Sequence, residues 1–216
     1  NKTKYDLVQG NLELRNSIAK RFNKLNQSAI TSQNIILGNG SKHILYNIFQ
    51  SLLNPGDEVI IPRPYWVTFP ESVKLAGGVP KFANPSKGFQ LDIDVIKDLV
   101  GPKTKALIIN SPNNPSGAIY PPHIMSQLLS LAKEHDFMVI SDEAYEGFIY
   151  DDETPFSLAS FDKKTLNNTI TVQSFSKTFS MTGFRIGYAI ASTPWINHLK
   201  NLGGHQVGNI CTFAQY

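Results

Sequence analysis

Five short apolar runs, EVIIP, KALIIN, FMVIS, NTITVQ and RIGYAI, limit the fold of this chain more than any other feature. Each is nearly continuous in hydrophobic character, as expected of a strand buried on both faces. Between them lie segments with apolar residues at helical spacing. Leu14, Ile18, Phe22 and Leu25 recur in this way over residues 12–25, and Ile44, Leu45, Ile48, Phe49, Leu52 and Leu53 do so within SKHILYNIFQSLL. Doubly buried strands alternating with amphipathic helices predict an α/β fold with a mostly parallel central sheet and helical crossovers. Turn chemistry punctuates the pattern at Asn54-Pro55-Gly56-Asp57 and at Gly77-Gly78. There is no repeat, low-complexity segment or compositional shift to mark a linker, so the reading is one domain.

With 41% hydrophobic residues in 216, the chain has enough apolar material for a sizeable core. Its net charge is +3, from 20 basic and 17 acidic residues that are scattered rather than blocked. That distribution lacks the footprint of a nucleic-acid or membrane-surface binder and favours small-molecule partners. No apolar run approaches the roughly 20 residues of a membrane span. Cys211 is the only cysteine, which rules out an internal disulfide and suits a reducing, cytoplasmic setting. The chain opens without methionine, and its end, NICTFAQY, reads as a helix still in progress; both features suggest a fragment.

Ligands of parallel α/β sheets gather at the carboxyl ends of the strands, so the polar residues there carry the functional reading. In ILGNGSKH, Gly40, Ser41 and Lys42 open a helix whose free N–H groups would receive an anion, although a glycine turn with a serine cap explains the same residues. In NSPNNPSG, Asn114 is either a fixed amide donor or part of a proline-rich turn. In FMVISDEAYEGF, Asp142 ends a buried strand, where a carboxylate needs hydrogen bonds, a cation or water; it either caps the next segment or pairs with a cationic ring nitrogen, with Tyr145 close by. In SFSKTFSMTGFRIG, Lys177 follows Ser174 and Ser176, and Arg185 follows eight residues later. A buried lysine there would be available as a neutral nucleophile or base, and an arginine offers a fork of donors to a phosphate.

Together, KYDLVQGNLELR, NGSKHILYNIFQSLLNPGDEVIIPRPYW, NSPNNPSG, SDEAY and SFSKTFSMTGFRIGY stand in the order found in fold-type I pyridoxal-phosphate enzymes. The chain resembles the class I aminotransferases of the bacterial aspartate aminotransferase type over nearly its whole length. The resemblance implies the three-layer α/β/α large domain of that fold, pyridoxal 5′-phosphate as cofactor and no metal. It makes Lys177 the lysine of the internal aldimine and Asp142 the partner of the ring nitrogen. Trp66 becomes the aromatic that stacks on the ring, and Asn114 and Tyr145 the donors to its phenolic oxygen. Gly40, Ser41, Ser174, Ser176 and Arg185 become the phosphate cup or its neighbours. Lys42 matches the lysine that recognises the distal carboxylate of acidic substrates, and Tyr5 the tyrosine that reaches the phosphate of the other subunit in a homodimer.

The same resemblance implies that residues 1–216 lack the family's N-terminal segment and its small C-terminal domain, with the arginine that grips the substrate α-carboxylate. The expected reaction is amino-group transfer between an amino acid, aspartate or glutamate foremost, and a 2-oxo acid. Two other readings stay open: a carbon–sulfur lyase of the same fold, and a non-catalytic aminotransferase-like sensor domain.

Overall fold

A computed structural model of the chain describes residues 2–150, 156–161 and 164–216. The strands are β1 (Ile35–Gly38), β2 (Glu58–Pro62), β3 (Val79–Ala83), β4 (Thr104–Asn110), β5 (Met138–Asp142), β6 (Thr169–Ser174) and β7 (Gly187–Ile190). The helices are α1 (Leu12–Asn26), α2 (Ser41–Leu52), α3 (Thr68–Leu75), α4 (Ile93–Leu99), α5 (Pro122–Glu134), α6 (Phe175–Thr178) and α7 (Thr193–Gln206). One seven-stranded sheet runs in the order β1-β7-β6-β5-β4-β2-β3, and β7 is antiparallel to both of its neighbours while the other pairs are parallel.

The alternation of side chains along each strand divides the core into layers. Ala106 and Ile108 of β4 join Ile140, Ile170 and Val172 on one face, beneath Ile44, Ile48 and Phe49 of α2 and Ile196 and Leu199 of α7. Leu107 and Ile109 point to the other face, against Leu128, Leu131 and Ala132 of α5 and Ile96 of α4. On that same side α1 places Ile18, Ala19 and Phe22 over Ile35, Leu37, Tyr188 and Ile190. The result is the expected three-layer α/β/α architecture. No helix among the described residues is long and apolar enough to cross a membrane.

One strand lies outside the runs picked out in the sequence, and one segment differs from its sequence reading. VPKFA forms the edge strand β3, with Val79 exposed and Pro80 where a missing N–H is tolerated, so it lacks the continuous apolar character of the inner strands. NICTFAQY does not continue a helix: α7 ends at Gln206, and the tail makes only a short 3₁₀ turn at Phe213–Gln215. Tertiary bonds decide this, because buried Gln215 accepts the Asn11 N–H at 2.7 Å and donates to the Ile210 carbonyl at 3.1 Å, pinning the tail against the start of α1.

The antiparallel course of β7 matters for function. Its amino end lies beside the carboxyl ends of β1 and β6, with Gly187 in register with Gly38 on one side and Ser174 on the other. Gly187 also runs under the start of α2: a Cβ there would stand 2.5 Å from the Ser41 nitrogen. Gly183, four residues earlier, has open space around it. Gly187→Ala should therefore lower stability by about 3 kcal/mol, the upper range for overpacking, and Gly183→Ala should leave it nearly unchanged. Parallel thermal unfolding of the two variants checks this contrast.

Candidate cofactor and active site

A cavity of about 360 Å³ opens where β4, β5 and β6 end. Of the residues singled out in the sequence, Ser41, Lys42, Trp66, Asn114, Asp142 and Tyr145 line it. Ser174, Ser176, Lys177 and Arg185 complete the same wall. Gly40 is not among the lining residues but precedes Ser41, which is, and Tyr5 is 93% exposed and lies outside the cavity.

The anion end of the cavity is built from three turns. Gly40 takes φ +80° as the residue preceding α2, and no side chain caps that helix, which leaves its first N–H groups for another acceptor. A serine cap is therefore not the explanation of Gly40-Ser41. A Cβ on Gly40 would lie 2.5 Å from Arg185 Nη2, so glycine is what allows the arginine to lie against the helix start. Arg185 is held in turn by donating from Nη1 to the Thr182 carbonyl at 3.0 Å. Ser174 starts α6, where its hydroxyl accepts the Ser176 N–H at 3.1 Å.

Asp142 lies at the other end of the cavity. It is 3% exposed and its Oδ1 accepts the Ala144 N–H at 3.1 Å, so it does cap the following turn. No cation pairs with it among the described residues. Burial pushes its pKa from the usual 3.8 up to about 7, with the Ala144 hydrogen bond opposing the shift. A buried carboxylate that faces a cavity and forms no ion pair with its cations suits a ligand that brings a cation to it.

Between these ends stand the remaining groups. Asn114 donates from Nδ2 to the Tyr145 hydroxyl at 3.4 Å. Lys177, half-buried rather than fully enclosed, has its Nζ 5.5 Å from the centre of the Tyr145 ring. Lys42 is exposed and lies over the Trp66 ring at 4.9 Å, so the expected ring stacker already has a cation on one face. Asn110 was not among the expected site residues, yet it holds the site together. Its Oδ1 accepts the Asn114 N–H at 2.6 Å, and its Nδ2 donates to the Asp142 carbonyl at 2.9 Å. The available signal was its place at the end of a buried strand, where an amide has to be bonded on both sides.

An α/β domain with an anion cup, an uncompensated buried carboxylate and a lysine between them defines a cofactor-binding scaffold. The sequence pattern of the family "Aminotransferase class I and II" matches residues 2–216, and the chain belongs to this family. Members related to aspartate aminotransferase work through pyridoxal 5′-phosphate.

The chain is 42% identical to a probable aspartate/prephenate aminotransferase of Aquifex aeolicus, over 100% of its own length and 55% of the relative's. It is 41% identical to aspartate aminotransferase of Bacillus subtilis, over 99% and 55% of the two chains. Among solved structures, a double mutant of Thermus thermophilus aspartate aminotransferase superposes with a TM-score of 0.94 at 40% identity, over 99% of this chain and 56% of that one. An aromatic aminotransferase from Pyrococcus horikoshii does so with a TM-score of 0.95 at 38% identity, over 100% and 58%. The chain thus spans about half the length of these relatives.

The residues fit the family cofactor: the anion cup matches its phosphate and the uncompensated Asp142 its cationic ring. Asp142 also sets a pH dependence for the cofactor-free protein. Its folded pKa of about 7 lies above the ordinary 3.8, so the fold holds a proton that the unfolded chain releases. Its contribution is fully present below the lower value and is lost as pH rises through the higher one. Asp142→Asn, which mimics the protonated form, should match the wild type near pH 4 and melt several degrees higher at pH 8, as read by thermal unfolding across pH.

Proposed function

We propose that the full-length protein is an aminotransferase that moves an amino group between an amino acid, aspartate or glutamate foremost, and a 2-oxo acid. The observation that carries this reading is the single cavity lined by Lys177, Asp142 and Arg185. Residues 1–216 serve as its cofactor-binding large domain.

Pyridoxal 5′-phosphate supplies an acceptor for the electron pair left when an amino acid loses its Cα proton. Arg185, Ser41 and Ser174 would bind its phosphate, Trp66 would pack on its ring, and Asn114 and Tyr145 would donate to its phenolic oxygen. Asp142 keeps a proton at the ring nitrogen, which its position supports because a carboxylate left alone there is costly. Lys177 would hold the cofactor, and its free amine would take the proton from the substrate Cα as a general base. A half-buried amine that lines the cavity is placed for both tasks.

Lys42, at the mouth, selects substrates with a second carboxylate. Tyr5 reaches the phosphate of a second subunit in a cytoplasmic homodimer, in keeping with its full exposure and its distance from this chain's own cavity.

Lys177→Ala in the full-length protein should abolish the visible absorbance of bound cofactor and lower turnover by about 10³-fold or more. Wild-type protein should release more than one equivalent of keto acid per site from aspartate only when a second 2-oxo acid is supplied. Pyruvate and ammonia formed from cysteine-like substrates without an acceptor would instead mark a lyase. Lys42→Met should reduce the preference for aspartate over an apolar amino acid by about tenfold, measured as a ratio of kcat/KM values.

A further inference from the structure

Lys177 makes no directional contact of its own among the described residues: its Nζ has the Tyr145 ring at 5.5 Å and no hydrogen bond or ion pair. Its flexible side chain is therefore aimed by the backbone that carries it. The residue after Lys177 and the residue after Tyr145 are joined. Thr178 donates from Oγ1 to Glu146 Oε1 at 3.1 Å, and the same oxygen accepts from Arg21 Nη2 at 2.8 Å. The two segments also touch at Gly147, where a Cβ would lie 3.0 Å from the Thr178 side chain.

Arg21 comes from α1, in the layer outside the sheet, and its guanidinium lies 5.2 Å from the centre of the Phe179 ring, which stacks on Phe175. It thus grips the segment of Lys177 on one side and Glu146 on the other. Glu146 and Arg21 are only 17% and 32% exposed, so solvent screens this pair less than an ordinary surface salt bridge.

We propose that Glu146 is a positioning residue: with Arg21 and Thr178 it fixes the Tyr145 turn against the Lys177 turn, and so sets where the lysine amine stands relative to the cofactor ring. This rests on the aminotransferase reading above. Its chemical basis is that reactions of held groups are sensitive to displacements of an ångström or less.

The test uses full-length protein loaded with pyridoxal 5′-phosphate, comparing wild type with Glu146→Ala, Glu146→Gln and Thr178→Val. Three quantities are read: the pH midpoint of the visible absorbance band, the fraction of Lys177 trapped by borohydride and found by peptide mass, and kcat and KM for aspartate. Glu146→Ala and Thr178→Val should move the midpoint, lower the trapped fraction and reduce kcat about tenfold with KM within about twofold. Glu146→Gln, which keeps an acceptor oxygen in place, should restore all three. If Glu146→Ala does not fold, Thr178→Val still decides, because it removes one hydroxyl from a half-buried site. Wild-type values in folded Ala and Val variants overturn the inference alone. Wild-type protein that traps no cofactor at Lys177 overturns the aminotransferase reading and this inference with it.

Discussion

The close passage of β7 beneath the first turn of α2 is the constraint on which the cavity depends. A parallel sheet presents the carboxyl ends of its strands on one edge, but it does not by itself bring an arginine from a following segment back to that edge. Reversing β7 does so: Arg185 precedes its first residue, and Gly187 pairs with both Gly38 and Ser174. The three turns of the anion cup then converge because the strands leading into them are neighbours. The passage tolerates no side chain at Gly187 and none at Gly40, where the Arg185 guanidinium takes the space. Packing and anion recognition are here the same requirement.

A second set of contacts works at right angles to the first. The end of β5 and the turn after it carry Asp142 and Tyr145 toward the cavity and Glu146 away from it, toward α1. Local bonds keep the turn in shape, with Glu146 N–H to the Glu143 carbonyl at 3.0 Å and Phe148 N–H to the Tyr145 carbonyl at 2.8 Å. Asn110 fixes the other wall by joining the Asn114 turn to the end of β5. The groups facing the cavity are therefore held by Glu146, which does not line it, and by Asn110, which does.

What the sequence made legible follows from which signals are local. Burial on both faces writes itself into runs such as KALIIN, and helical periodicity into SKHILYNIFQSLL, so a parallel sheet with helical crossovers could be read directly, while the three-layer arrangement followed from the family resemblance. The edge strand VPKFA escaped because an edge needs neither full burial nor a complete ladder. The NICTFAQY tail departs from its apolar spacing because Gln215 is bonded to Asn11, far away in sequence, and to the nearby Ile210 carbonyl. The cavity-facing residues were legible through ordered motifs. Glu146 and Arg21 stand 125 positions apart, and nothing in either segment alone announces their pairing. Asn110 was visible as a residue, but its two-sided role exists only once β4 and β5 are aligned.

Asp142 and Glu143 show how geometry separates chemistry from structure in adjacent carboxyl groups. Burial pushes both up to about 7, so the shift by itself does not distinguish them. Their surroundings do. Glu143 receives the Ser141 hydroxyl at 2.9 Å, the Leu158 N–H at 3.1 Å and the Gln173 amide at 3.0 Å, and Gln173 in turn accepts from the Tyr188 hydroxyl. Such a closed network holds β5, β6 and β7 together. Asp142, turned to the opposite side by the alternation of the chain, receives only the Ala144 N–H among the described residues and borders the cavity. Both residues are costly to ionise, but only Asp142 is left to be compensated by something that enters from outside. An under-satisfied buried carboxylate at a strand end, beside a fully satisfied one, is what a site waiting for a cationic ring requires.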